Sequence, residues 1–166
     1  KVSDNDGKTV VEGAQFALAI DKASGVITSY KVKGNEILKD GYGPRPNYWR
    51  APTDNDYGMK LQKRARVWKA ASTAPRVAEN YSVDNKNGIV TIKFSQAMVD
   101  SVAQDIEYNI YPSGYMAMTV NTITENDMPM MPRAGIRLQL NGEYNNVTYY
   151  GRGEWENYQD RKTTSF

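Results

Sequence analysis

With 166 residues, the chain is long enough for one domain with a substantial core and too short for two comfortable ones. It contains no Cys and no His, which removes thiolate nucleophiles, disulfides, the usual zinc ligands and the His base of hydrolytic triads. Its 21 basic and 19 acidic side chains nearly balance at a net charge of +2, so charge alone does not favour a polyanionic partner such as nucleic acid.

Residues 1–8 are polar with Val2 as the one apolar side chain, so no secretory h-region is visible. The expectation is a chain whose signal has been removed, or a piece excised from a longer one. No apolar run approaches the eighteen or so residues of a membrane span. A soluble domain is expected, and its compartment stays open between cytoplasm and periplasm.

In residues 15–20, Phe16, Leu18 and Ile20 alternate at period two, the signature of a half-buried strand. Turn residues 21–25 follow, and residues 26–32 resume with β-branched and aromatic side chains, which predicts a hairpin. A second turn at Lys33-Gly34-Asn35 leads to a short strand over residues 36–38. Residues 41–58 are broken by Gly41, Gly43, Pro44, Pro46, Pro52 and Gly58, interleaved with Tyr42, Tyr48, Trp49 and Tyr57, and read as an ordered aromatic loop. Residues 59–71 are the one predicted helix: Leu61, Ala65 and Trp68 recur at i, i+4 and i+7 among Lys60, Lys63, Arg64, Arg66 and Lys69. Trp68 reads as core, and the basic run reads as a solvated face rather than a track for phosphates.

Beyond Pro75, residues 76–83 and 88–98 flank a turn at 84–88, and residues 106–111 and 115–124 flank Pro112-Ser113-Gly114, predicting two more hairpins. Shorter strands are expected at 135–140 and 147–150. Strands at this spacing, punctuated by turns, predict an all-β sandwich or barrel occupying residues 1–166 as one domain.

Two stretches carry more than pattern. Trp49-Arg50-Ala51-Pro52-Thr53-Asp54-Asn55-Asp56-Tyr57-Gly58 resembles the W-R-A-P-T-D-N-D-x-G signature of the C-terminal domain, or small chain, of glycoside hydrolase family 2 β-galactosidases. Residues 149–161, with Gly151, Gly153, Glu156, Asn157, Tyr158, Asp160 and Arg161, resemble the same domain's Y-x-G-x-G-P-x-E-N-Y-x-D-R motif. Trp68-Lys69 falls where that family has a Trp-Lys pair closing the loop after the first motif.

The resemblance implies a galactose-mutarotase-like supersandwich of antiparallel strands beside a catalytic (β/α)₈ barrel that carries both catalytic glutamates. It implies no catalytic residue, metal or cofactor in this chain, and puts any Mg or Na in the parent enzyme. The implied partners are the remaining domains of that parent and galactosides, with no nucleic acid and no membrane; a homo-oligomer is left open. Glu154-Trp155 stands where the family has Pro-His, so the contact of that imidazole has no counterpart. The family domain continues past the position of Phe166, so an incomplete fragment is expected, inactive by itself. The rival reading is a free-standing carbohydrate-binding or mutarotase-like module.

Within these motifs, Asp54, Asn55, Asp56, Trp155 and Glu156 are the candidate sugar contacts. Trp49, Arg50, Pro52, Gly58, Gly151, Gly153, Asn157, Tyr158, Asp160 and Arg161 are read as shaping the two loops. Asp54 and Asp56 could bind a sugar hydroxyl or a cation, but the stretch fails the EF-hand spacing, and Asp and Asn commonly brace turns through local backbone bonds. Glu154 and Glu156 on one strand would lie about 6.5–7 Å apart, a separation that geometry alone allows an inverting pair, yet such pairs normally cross a cleft between elements. An indole or phenol suits the apolar face of a pyranose, which makes Tyr48, Trp49, Tyr57 and Trp155 candidates for stacking.

Overall fold

The computed structural model describes residues 1–150. Within them, a first sheet is a sequential antiparallel meander of β1 (Val2–Asn5), β2 (Lys8–Glu12), β3 (Phe16–Asp21), β4 (Ile27–Val32) and β5 (Asn35–Glu36). A second meander runs β7 (Ala78–Lys86), β8 (Ile89–Val99), β9 (Val102–Ile110) and β10 (Met116–Thr124). Between them in sequence lie β6 (Arg45–Asn47) and three short helices, α1 (Asp54–Gly58), α2 (Leu61–Arg64) and α3 (Arg66–Thr73). The last strand of the described residues, β11 (Gly135–Arg137), returns to pair antiparallel with β6. No helix among the described residues is long and apolar enough to cross a membrane.

The expected all-β sandwich is what forms, and period two explains it. Phe16, Leu18 and Ile20 of β3 turn inward, as do Val90, Ile92 and Phe94 of β8 and Ile106, Tyr108 and Ile110 of β9, giving one shared core. Each such aliphatic or aromatic side chain contributes about 1.5–3 kcal/mol on burial. Polar groups also stitch the sheets together: the Tyr30 hydroxyl donates to the Gly114 carbonyl, and the Tyr108 hydroxyl to the Gly25 carbonyl.

Three hairpins close on two-residue turns, Asp6-Gly7, Lys33-Gly34 and Asn87-Gly88, in which both central residues have positive φ. This is the turn whose twist matches paired strands. Strand pairing therefore runs to Lys86 and resumes at Ile89, narrowing the turn read over 84–88.

Several expectations are corrected. The single helix over 59–71 is three helical pieces spanning residues 54–73, interrupted where Lys60 adopts the left-handed region (φ +55°) and Ala65 leaves helical geometry. The breaks let Leu61, Ala65, Trp68 and Ala71 all enter one second core with Tyr48, Met98 and Val102. Residues 54–58, read as loop, are helical because Thr53 caps them. The hairpin β1–β2 was not anticipated. Residues 135–140 form a strand only over Gly135–Arg137, residues 36–38 only over Asn35–Glu36, and 147–150 form none.

Candidate functional site

The first motif is a strut hung from the end of β6. Tyr48 is sunk into the second core, its ring 5.5 Å from that of Trp68 and its hydroxyl 2.7 Å from Thr122 Oγ1 on β10. Its backbone N–H donates to Ser72 Oγ at 2.8 Å, which ties the loop to α3. Trp68 is 2 % exposed and donates its indole N–H to the Pro129 carbonyl at 2.8 Å. The expectation that Trp68 is core holds, and Tyr48 joins it rather than facing solvent.

From this anchor the chain passes the half-buried Trp49 and Arg50 to a charged brace. The Arg50 guanidinium forks onto both carboxylate oxygens of Asp56, with Nη2 3.1 Å from Oδ1 and Nη1 bonded to Oδ2. Asp56 Oδ2 also accepts the Thr53 backbone N–H at 2.8 Å and its hydroxyl at 3.1 Å, while Thr53 Oγ1 accepts the Asp56 N–H. These last contacts are a reciprocal capping box, with Asp at the position where Glu or Gln is more usual. The hydrogen bond from Arg50, followed by the backbone N–H of Thr53, holds the Asp56 carboxyl below the usual carboxylate range despite its burial. Asp56 sits at 7 % exposure, with both of its oxygens engaged by partners within the loop.

Asp54 and Asn55 lie beside it on the exposed first turn of α1, and Tyr57 is exposed next to them. Pro52 is half-buried at the bend before the helix. Gly58 closes α1 with nothing within 4 Å of where a side chain would begin and without a positive φ; nothing among the described residues explains the glycine. Among the described residues, no group of three or more acidic side chains assembles that could hold a metal ion. The candidates of the second motif, Gly151, Gly153, Trp155, Glu156, Asn157, Tyr158, Asp160 and Arg161, lie outside the described residues.

On the other flank of the strut opens a cleft of about 580 Å³, walled by Tyr42, Trp49, Lys69 and the arginines at 45, 50, 76, 133 and 137. Lys69 Nζ lies 6.0 Å from the Trp49 ring centroid and the Arg45 guanidinium 3.9 Å from that of Tyr42. The sequence reading missed this convergence. Its arginines are scattered over most of the chain, and only the β6–β11 pairing and the packing of α3 gather them.

A family profile described as "Beta galactosidase small chain" matches residues 12–166. The chain is 36% identical over 163 residues to a beta-galactosidase of Priestia megaterium, a match covering 98% of this chain and 16% of that protein. It is 30% identical over 168 residues to a beta-galactosidase of Halalkalibacterium halodurans (98% and 16%) and 31% identical over 178 residues to one of Psychromonas ingrahamii (97% and 17%). The chain thus spans about a sixth of the length of these relatives.

Proposed function

This chain belongs to the β-galactosidase small-chain family, and we propose that it serves as a non-catalytic module of a larger β-galactosidase. In this reading another domain cleaves terminal β-D-galactosyl residues while the sandwich shapes one wall of the sugar pocket and packs against the catalytic barrel. One observation of proportion carries it: nearly all of this chain is matched, yet it accounts for only 16% of the enzymes it matches.

The chemistry divides accordingly. Double displacement needs two carboxyl groups about 5–5.5 Å apart across the scissile bond, one as nucleophile and one as acid and base. The Asp56 carboxylate is engaged by Arg50 and Thr53, which supports assigning both reacting carboxyls to the barrel. The brace has a different use. It fixes α1 so that Asp54 and Asn55 stand on its exposed side, where short polar side chains can meet sugar hydroxyls at little entropic cost. Trp49, half-exposed at the cleft rim, offers a stacking face. Any Mg or Na and any self-association are assigned to the whole enzyme.

The test is hydrolysis of an aryl β-galactoside by the 166-residue chain and by the whole enzyme with and without this segment. Turnover is expected only from the intact enzyme; turnover by the chain alone refutes the reading. Titration of galactose and lactose into the chain, followed by Trp fluorescence, is expected to show no saturation at millimolar sugar. Saturation there would establish a free-standing carbohydrate-binding module instead.

A further inference from the structure

The basic cleft has a charge composition that the strut does not require. Arg50 is engaged with Asp56, but Arg45, Lys69, Arg76, Arg133 and Arg137 line the same 580 Å³ without a carboxylate among the described lining residues. None of the ion pairs among the described residues involves these five. Their partners are neutral: Arg76 reaches the carbonyls of Pro46 and Ser72, each at 3.3 Å, and the sulfur of Met98, while Arg45 reaches the Gly41 carbonyl at 3.4 Å. Arg45 and Arg137 both lie over the ring of Tyr42, at 3.9 and 5.5 Å.

Gathering like charges in one partly enclosed place costs free energy. Burial, and then the charge of Arg45, push the Arg76 guanidinium below its ordinary pKa. The concentration is local, since the chain as a whole carries only +2. Guanidinium forks match carboxylates in paired geometry, and they keep their charge in partly desolvated places where an ammonium would lose it.

We propose that this cleft seats a carboxylate-bearing segment of the whole enzyme, contributed from outside these 166 residues, and is the polar half of the interface between this sandwich and the rest of the enzyme. The inference rests on the reading of the chain as a module of a larger enzyme. Two observations choose that occupant over a small anion. The matched enzymes are about six times longer than this chain, so most of the surface that could dock on it lies outside it. The cleft is also wide and flanked by Trp49 and Tyr42, a mixed aromatic and cationic lining that suits a peptide segment with Asp or Glu between apolar side chains.

The experiment uses the whole enzyme and a zero-length carbodiimide, which joins a lysine amine to a carboxylate in contact with it. Lys69 is the native probe, and Arg133→Lys and Arg137→Lys add two more; should the variants misfold, Lys69 alone serves. Peptide mapping is expected to show cross-links from these positions to Asp or Glu outside residues 1–166, with yield falling at least fivefold when Arg45 and Arg137 are both changed to Gln. If Lys31 or Lys86, exposed elsewhere on the sandwich, cross-link to the rest of the enzyme while the cleft positions do not, the cleft proposal is overturned and the module reading stands. Absence of any cross-link from this chain to the rest overturns both. Cleft arginines that react freely with phenylglyoxal and become protected only when millimolar inorganic phosphate is added overturn the proposal in favour of a small-anion site.

Discussion

Replacing Gly25 with alanine probes how tightly the two sheets are locked. Gly25 occupies the β3–β4 turn at φ +67°, and its carbonyl accepts the Tyr108 hydroxyl from the opposite sheet at 3.4 Å. An added methyl meets two penalties. The left-handed backbone costs an L-residue about 1–2 kcal/mol. The new carbon would also lie 2.7 Å from Phe94 Cδ2, with two other ring carbons nearer still, so the ring must move. It has little room, because the Tyr81 and Tyr108 rings lie 5.9 and 5.7 Å away, and overpacking of this kind costs about 1–3 kcal/mol. Together the variant should lose about 2–5 kcal/mol, a fall of roughly 1–2.5 M in urea midpoint if m is about 2 kcal/mol per molar. Gly58→Ala is the control: open space and no positive φ predict a change within about 0.5 kcal/mol. A Gly25→Ala midpoint equal to that of the unmodified chain, or equal shifts in both variants, would refute the packing argument.

Two further outcomes concern the strut. Thr53→Ala removes the cap of α1 and is expected to cost about 1 kcal/mol, seen as faster amide exchange confined to residues 54–58; exchange that is unchanged there would show that the cap does not hold the helix. Asp56 should make the strut acid-sensitive. Its carboxyl is depressed in the fold chiefly by the Arg50 hydrogen bond, so its contribution is present above the unfolded carboxylate pKa, about 3.9, and is lost as pH falls through the lower folded value. Trp fluorescence followed from neutral pH into that acid range should report loosening of residues 50–58, and Asp56→Asn should remove the transition; identical profiles for both proteins would count against the brace.

The alternation of Phe16, Leu18 and Ile20 was readable because a half-buried strand writes its faces directly into residue order. The β1–β2 hairpin was not, because its only buried side chains are Thr9 and Val11 in a run otherwise polar or half-exposed. Its Asp6-Gly7 dipeptide was the available signal. Around the site, the periodicity of Leu61, Ala65 and Trp68 gave the right face but the wrong continuity, since period is blind to a break at Lys60 that leaves every apolar residue pointing inward. Thr53 and Asp56 at spacing three were a helix-start signature hidden inside a stretch dominated by breakers. The cationic cleft had no local signal at all: Arg45, Arg76 and Arg137 become neighbours only through the fold.

The ribbon of β6 and β11 has a consequence for how the strut is held. Both large sheets are meanders whose paired strands are also consecutive in the chain, so each can zip up through contacts of short sequence separation. Asn47 and Gly135, by contrast, meet across about ninety residues of intervening chain, and the entropy of closing so long a loop is offset by the ribbon's three residue pairs together with the Leu38–Leu140 bridge and the backbone bonds of Lys39, Gln139 and Asn141. Beside the ribbon, Tyr48 packs on Met98 and Val102 and bonds to Thr122, so the ribbon rests on the second meander. Residues 49–58, which follow the ribbon in the chain, are therefore expected to gain their order only after the local hairpins of the meanders have paired.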